Sequence, residues 1–292
     1  MQAEMPFFCQ IGAYQSLSAP VDLRPVLVES FAMTPLRFLS SVLNPHAADP
    51  VKLPPGYRNG ADWVPRIGDI FPDFEAETTL GPIRFHAWAE GRWTVLFSQP
   101  GAFTPVCSTE LGSLAETAPE LDRRGAQAIG LTPDPVGDLA NWCADVAELF
   151  GAPIRFPMIS DTGGAIARAC GMTHPKESPD LPIRKTLILD PALHVRMIFE
   201  YPLRIGRGTD EILRVLDALQ ERDRLDVATP ADWQPGDVLL VPSAFSDAEA
   251  DARFGAGGWQ PLRRYLRVLV PGAAESRVAG NRNSGPRLPR QR

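Results

Sequence analysis

Seven consecutive residues, WTVLFSQ at positions 93–99, carry no charge and lack the in–out alternation of a half-exposed strand. Such a run suits a strand covered on both faces, which requires packed elements on either side of its sheet. The surrounding stretches extend the pattern. DFEAET and IRFHAWA alternate as half-exposed strands, and AQAIGLTP reads as a further strand. STELGSLAETAPELDRRG reads as a helix with basic residues in its last turn and a glycine behind it. VGDLANWCADVAELFG is an amphipathic helix stopped by glycine, IRFPMIS a short strand and GGAIARACG a brief helix. KTLILDP and VRMIFEYP form a hairpin around DPALH, and TDEILRVLDALQER closes the series as a helix capped by Thr209. Strands alternating with helices predict an α/β domain, a mixed sheet with helices on both faces.

That pattern occupies residues 64–222. The proline- and alanine-punctuated stretch 1–63 is expected to be a poorly ordered extension. Residues 223–271, turn-rich and short-stranded, are expected to be too small for a core of their own and to pack on the main domain or on a second subunit. Residues 272–292, rich in proline, glycine and arginine, are expected to form a disordered tail. A net charge of −6 argues against nucleic acid or an anionic membrane as partner. No apolar run reaches the roughly 18–20 residues of a membrane span. The opening MQAEMPFFCQIGAYQ has no basic start, so a cytoplasmic location is expected. The four cysteines Cys9, Cys107, Cys143 and Cys170 contain no C-x-x-C pair. The histidines His46, His86, His174 and His194 form no ligand spacing with them, and no metal or other cofactor is expected.

Cys107 stands apart because FTPVC reads as a helix start. Thr104 is a natural N-cap, Pro105 suits the first helical position, and Cys107 falls at the third. Unpaired amides and the positive end of the helix dipole favour negative charge there, so a thiolate nucleophile is expected. Glu110, one turn further along the same face, opposes it and demands a cation. Arg184, at the head of RKTLILDP, is the best placed by pattern.

PGAFTPVCSTE resembles the signature of the peroxiredoxin family, P-x-x-x-T-x-x-C, with Pro100, Thr104 and Cys107 at matching positions. IGDIFPDFEAETTLGPIRFH, YPLRIGRGTDEILRVLDALQ and VATPADWQPGD are similar to the one-cysteine subfamily, and the resemblance spans residues 64–271. It implies a thioredoxin-like fold with a small C-terminal segment, and reduction of hydrogen peroxide and organic hydroperoxides. By the same resemblance, Cys107 attacks the peroxide and becomes a sulfenic acid, while the Thr104 hydroxyl bonds thiolate and peroxide. Arg184 holds the thiolate and stabilises the departing oxygen, Pro100 shields the site, and Glu110 orients Arg184 and a second cation, Arg207. A homodimer or higher homo-oligomer is implied, with the C-terminal segment reaching across.

Departures from the family pattern matter too. Gln99 stands where one-cysteine members carry histidine. Of a phospholipase triad found in some relatives only His86 matches, with Arg92 and Ala192 at the other positions, so no lipase activity is expected. VATPADW lacks the resolving cysteine of two-cysteine members, and Gly112 occupies another position where a resolving cysteine can stand. An external thiol or redox protein is therefore the expected reductant. The alternatives are an internal Cys107–Cys143 disulfide reduced by a thioredoxin-like protein, or, in a different class, an oligomeric chaperone-like holdase. A thioredoxin-type exchanger would need a cysteine where Glu110 stands. Cys170 is expected in the core, and Cys9 has no assigned role.

Overall fold

The computed structural model describes residues 64–270, so the expected extension and tail lie outside the described residues. The main strands are β3 (Trp93–Ser98), β4 (Ala126–Thr132), β5 (Met158–Ser160), β8 (Arg184–Leu189) and β9 (Val195–Tyr201). They form one sheet in the order β5-β4-β3-β8-β9. The first three run parallel, β8 is antiparallel to β3, and β9 is antiparallel to β8. Every residue of β3 and β8 is buried, as central apolar strands require.

The strand alternation sorts side chains into two cores. Val95 and Phe97 pack with α2 (Pro105–Arg123), α3 (Val136–Phe150) and α5 (Thr209–Leu225) through Leu111, Trp142 and Leu216. Leu96 faces the opposite core, which holds Phe71, Met172 and residues of α1 (Phe85–Ala89) and α4 (Ala165–Ala169). Among the described residues three short ladders lie outside the sheet, two of them β1 (Glu75–Ala76) with β2 (Ile83–Arg84), and β6 (Thr173–His174) with β7 (Ser178–Pro182).

Three expectations from the sequence change here. In IRFHAWA only Ile83 and Arg84 pair as strand; Phe85–Ala89 is helical. Phe85 and Ala89 are both buried four residues apart, and the Phe85 ring stacks on Phe74 with centroids 4.8 Å apart. Over so few residues the letters fit both periods, and burial of the i, i+4 pair selects the helix. Thr209 is the first residue of α5 rather than its cap, which is Gly208; its hydroxyl instead pairs with Ser113 Oγ at 2.8 Å and ties α5 to α2. The C-terminal segment also holds more structure than expected. It forms α6 (Asp247–Phe254) and the hairpin of β10 (Trp259–Arg263) and β11 (Leu266–Leu269). Val227, Val241, Ala250, Phe254 and Leu269 gather with Leu225 of α5 in a small core of their own. A reciprocal capping box between Ser246 and Glu249 starts α6, a signal present in the sequence as S-x-x-E.

Close packing of α2 on α3 gives a first prediction. A Cβ at Gly112 would lie 2.5 Å from the Phe150 ring. Gly112→Ala should cost about 1–3 kcal/mol through forced repacking, lowering the melting temperature by several degrees. An unchanged melt would mean that Phe150 swings aside freely.

Candidate active site

The sheet topology brings three chain segments to one end. β3 stops at Ser98 and leads through Gln99 and Pro100 to the start of α2. β8, running the other way, starts at Arg184, which pairs with Tyr201 at the end of β9. The loop after β9 then carries Arg207 to the same place. Cys107, Glu110, Arg184 and Arg207 are therefore neighbours although they span a hundred residues of chain.

Pro105 occupies the first turn of α2 and Cys107 the third helical position, with no solvent exposure. Thr104 is the N-cap by backbone, and its carbonyl accepts from Ser108 N at 2.9 Å. Its side chain does not cap the helix: the hydroxyl donates to the Gly101 carbonyl at 3.0 Å. The oxygen accepts from no helix amide, so the expected capping role of the hydroxyl is not met, and with its proton on Gly101 the hydroxyl does not bond Cys107 Sγ as the resemblance implied; its lone pairs stay available. Pro100 is buried at the base of this loop. Asp134 pins the loop by accepting from Ala102 N at 2.7 Å, and Phe103 beside it adopts a left-handed φ of 54°.

Glu110 lies at the centre of the site and receives five donors. Its Oε1 accepts from Arg207 N at 2.8 Å and Arg207 Nε at 2.9 Å. Its Oε2 accepts from Arg184 Nη1 at 2.7 Å, Arg207 Nη2 at 2.8 Å and Gln99 Nε2 at 3.2 Å. Burial works against ionisation of Glu110. Hydrogen bonds and charge from Arg207, with the charge of Arg184 behind them, outweigh burial and hold its carboxyl below the ordinary value.

The two arginines have different duties. Arg207 is braced from several sides: Nη1 donates to the Lys185 carbonyl and to Thr186 Oγ1, and the guanidinium sits 5.5 Å over the Phe97 ring. Arg184 faces the sulfur. Its Nη1 also donates to Cys107 Sγ at 3.3 Å, and its Nε donates to the Leu203 carbonyl at 2.8 Å. A planar, charged donor is thus aimed at a fully buried sulfur.

Sequence reasoning noted Gln99 only as a departure, yet it joins this network. Its amide is fully buried and donates to the Cys107 carbonyl at 3.1 Å as well as to Glu110. A neutral donor here supports the carboxylate without adding a titrating group. His86 is engaged elsewhere, with Nε2 2.6 Å from the Phe71 carbonyl.

Cys107, Cys143 and Cys170 are all free thiols. Cys143 is half-buried on α3 and packs against the helical core, and burial pushes its thiol up to about 11. Cys170 is buried in the opposite core; burial, partly offset by Lys185, pushes its thiol up to about 12.

A helix-start cysteine under a guanidinium, at one end of a mixed sheet, defines a thiol-based redox enzyme. The AhpC/TSA family matches residues 67–198, and the C-terminal domain of 1-Cys peroxiredoxin matches residues 218–257. Mouse peroxiredoxin-6 is 41% identical over 213 residues, covering 69% of this chain and 95% of its own. The mitochondrial peroxiredoxin PRX1 of Saccharomyces cerevisiae is 38% identical over 209 residues, 69% of this chain and 79% of its own. Among solved structures, a mutant of peroxiredoxin 6 from Arenicola marina superposes with a TM-score of 0.66 at 38% identity, covering 70% of this chain and 98% of that one. Yeast mitochondrial 1-Cys peroxiredoxin, described with thiol resolution via glutathione/thioredoxin systems, gives a TM-score of 0.65 at 37% identity with the same coverage. The chain belongs to the peroxiredoxin family and carries the thioredoxin-like fold and thiol peroxidase activity of that family.

Proposed function

We propose that Cys107 is the peroxide-reducing thiol of a one-cysteine cycle and that an external thiol closes it. The observation that carries this reading is the 3.3 Å approach of Arg184 Nη1 to Cys107 Sγ. The Cys107 thiolate attacks the terminal oxygen of a hydroperoxide. An S–O bond forms, the O–O bond breaks, and the electron pair leaves with the distal oxygen, which takes up a proton to become water or an alcohol. Cys107 is left as a sulfenic acid. Arg184 holds the thiolate and meets the charge that develops on the departing oxygen, a preorganised donor of the kind that dominates such steps. Thr104 offers its free lone pairs to the hydroperoxide O–H. Glu110 and Arg207 fix Arg184 in place, and Pro100 keeps bulk water from the sulfur.

Resolution then needs a second thiol. A thiol R–SH condenses with the sulfenic acid, releasing water and leaving a mixed disulfide, which another thiol reduces. The yeast relative's glutathione and thioredoxin systems suggest the chemistry of that reductant. Cys143 is a poor internal candidate, because a thiol held near 11 is almost wholly protonated at neutral pH, and the thiolate is the reacting form.

Cys143→Ser tests this. Peroxide turnover with glutathione or thioredoxin should stay within about twofold of the parent, because Cys143 takes no part in the proposed cycle. The intact mass after one equivalent of peroxide, with a sulfenic-acid trap, should show the adduct on Cys107. Collapse of turnover in the variant, or loss of two hydrogens without adduct in the parent protein, would establish the internal disulfide instead.

A further inference from the structure

We infer that Glu177, in the hairpin of β6 and β7, is a positioning residue for the peroxidase reaction, acting through the backbone of Leu203 on Arg184. The inference rests on the cycle proposed above. Glu110 holds Nη1 of Arg184, and where that nitrogen points at the end of a long side chain also depends on the partner that holds Nε. That partner is the Leu203 carbonyl, at 2.8 Å. Leu203 lies two residues past the end of β9, in the loop that leads to Arg207, where no sheet ladder fixes it. Its own amide donates to Glu177 Oε1 at 2.9 Å. The path therefore runs from Glu177 Oε1 to Leu203 N, from the Leu203 carbonyl to Arg184 Nε, and from Arg184 Nη1 to Cys107 Sγ.

The hairpin is built to hold that carboxylate still. Glu177 N donates to the His174 carbonyl at 2.9 Å, closing a turn around Pro175 and Lys176. Below the turn, Ser178 and Pro182 are buried, and Ile183 N donates to the Met172 carbonyl at 2.7 Å, closing the base of the hairpin, where Met172 is buried in the sheet's second core. Glu177 itself is exposed and buries nothing of consequence. Its contribution is one charge-assisted bond to a loop peptide, which is stronger than a neutral bond in the same place. The sequence stretch THPKESPDLP gave no hint of this, because the partner lies 26 residues on and is a backbone amide.

The test compares Glu177→Ala, Glu177→Gln and Cys107→Ser with the parent protein. Stopped-flow tryptophan fluorescence follows the peroxide step, and turnover with glutathione follows the reductive step. Glu177→Ala should slow oxidation of Cys107 by roughly three- to tenfold, the worth of one hydrogen bond made in the reacting geometry. Its melting temperature and its reductive rate should stay as in the parent, a split that a merely structural residue would not produce. Glu177→Gln retains an acceptor and should restore most of the oxidation rate. Equal oxidation rates in all three Cys107-containing proteins, or equal loss in both Glu177 variants, would overturn the inference. An oxidation signal that persists in Cys107→Ser would instead overturn the parent reading, and this one with it.

Discussion

Cys107→Ser should abolish peroxide turnover while leaving the fold intact. A serine hydroxyl in the same place is a weak nucleophile toward an O–O bond, and loss of a nucleophile typically costs at least ~10³-fold in rate. Little structural change is expected, because the substitution keeps the size of the side chain and a hydroxyl can still accept from Arg184 Nη1, which sits 3.3 Å from the sulfur. Peroxide consumption and a thermal melt on the same sample check both halves. Residual turnover above a few per cent would move the chemistry to another thiol, against the burial that keeps Cys143 and Cys170 protonated.

The largest stability effect is expected at Glu110. Its side chain is 4% exposed and pairs with two guanidinium groups that are just as enclosed. Glu110→Gln leaves two buried cations facing a neutral amide, and breaking a buried pair in this way costs about 3–5 kcal/mol. Activity should fall as well, since Arg184 loses the anchor that shares its Nη1 with the sulfur. The deficit should depend on pH with a definite sign. The folded-state carboxyl lies below its ordinary value of 4.5, so its ionisation stabilises the fold above that value and the contribution is lost as pH falls through the folded-state titration. The gap in melting temperature between parent and Glu110→Gln should therefore be full at pH 7 and narrow below about pH 4.5. A gap that stays constant across that range would mean that Glu110 acts through shape rather than charge.

Much of this site was legible in the chain because its signals are local. A strand, a six-residue turn and a proline-started helix fix Cys107 by spacing alone, and Glu110 follows one helical turn later. Arg184 and Arg207 come from distant segments: Arg184 stood out at the head of its strand, whereas Arg207, in the loop past β9, was marked only by the family resemblance. The misses share a cause. Thr104 and Thr209 both had the right type and place for an N-cap, but each hydroxyl found a nearer acceptor or partner in Gly101 or Ser113. IRFHAWA satisfied two periods at once, and only the tertiary position of Phe85 against Phe74 separated them. The bond from Gln99 to Glu110 and the one from Leu203 to Glu177 depend on where loops end in space, which residue types do not encode.

The pairing of two guanidinium groups with a single carboxylate has a consequence for the second half of the cycle. With the sulfur anionic, Arg184, Arg207, Glu110 and Cys107 together sum to zero. Oxygen transfer turns the sulfur into an uncharged sulfenic acid, and the pocket is left with one surplus positive charge in surroundings that screen it poorly. A negatively charged attacking sulfur restores neutrality on arrival, so the spent enzyme is electrostatically tuned to draw in the ionised form of its reductant.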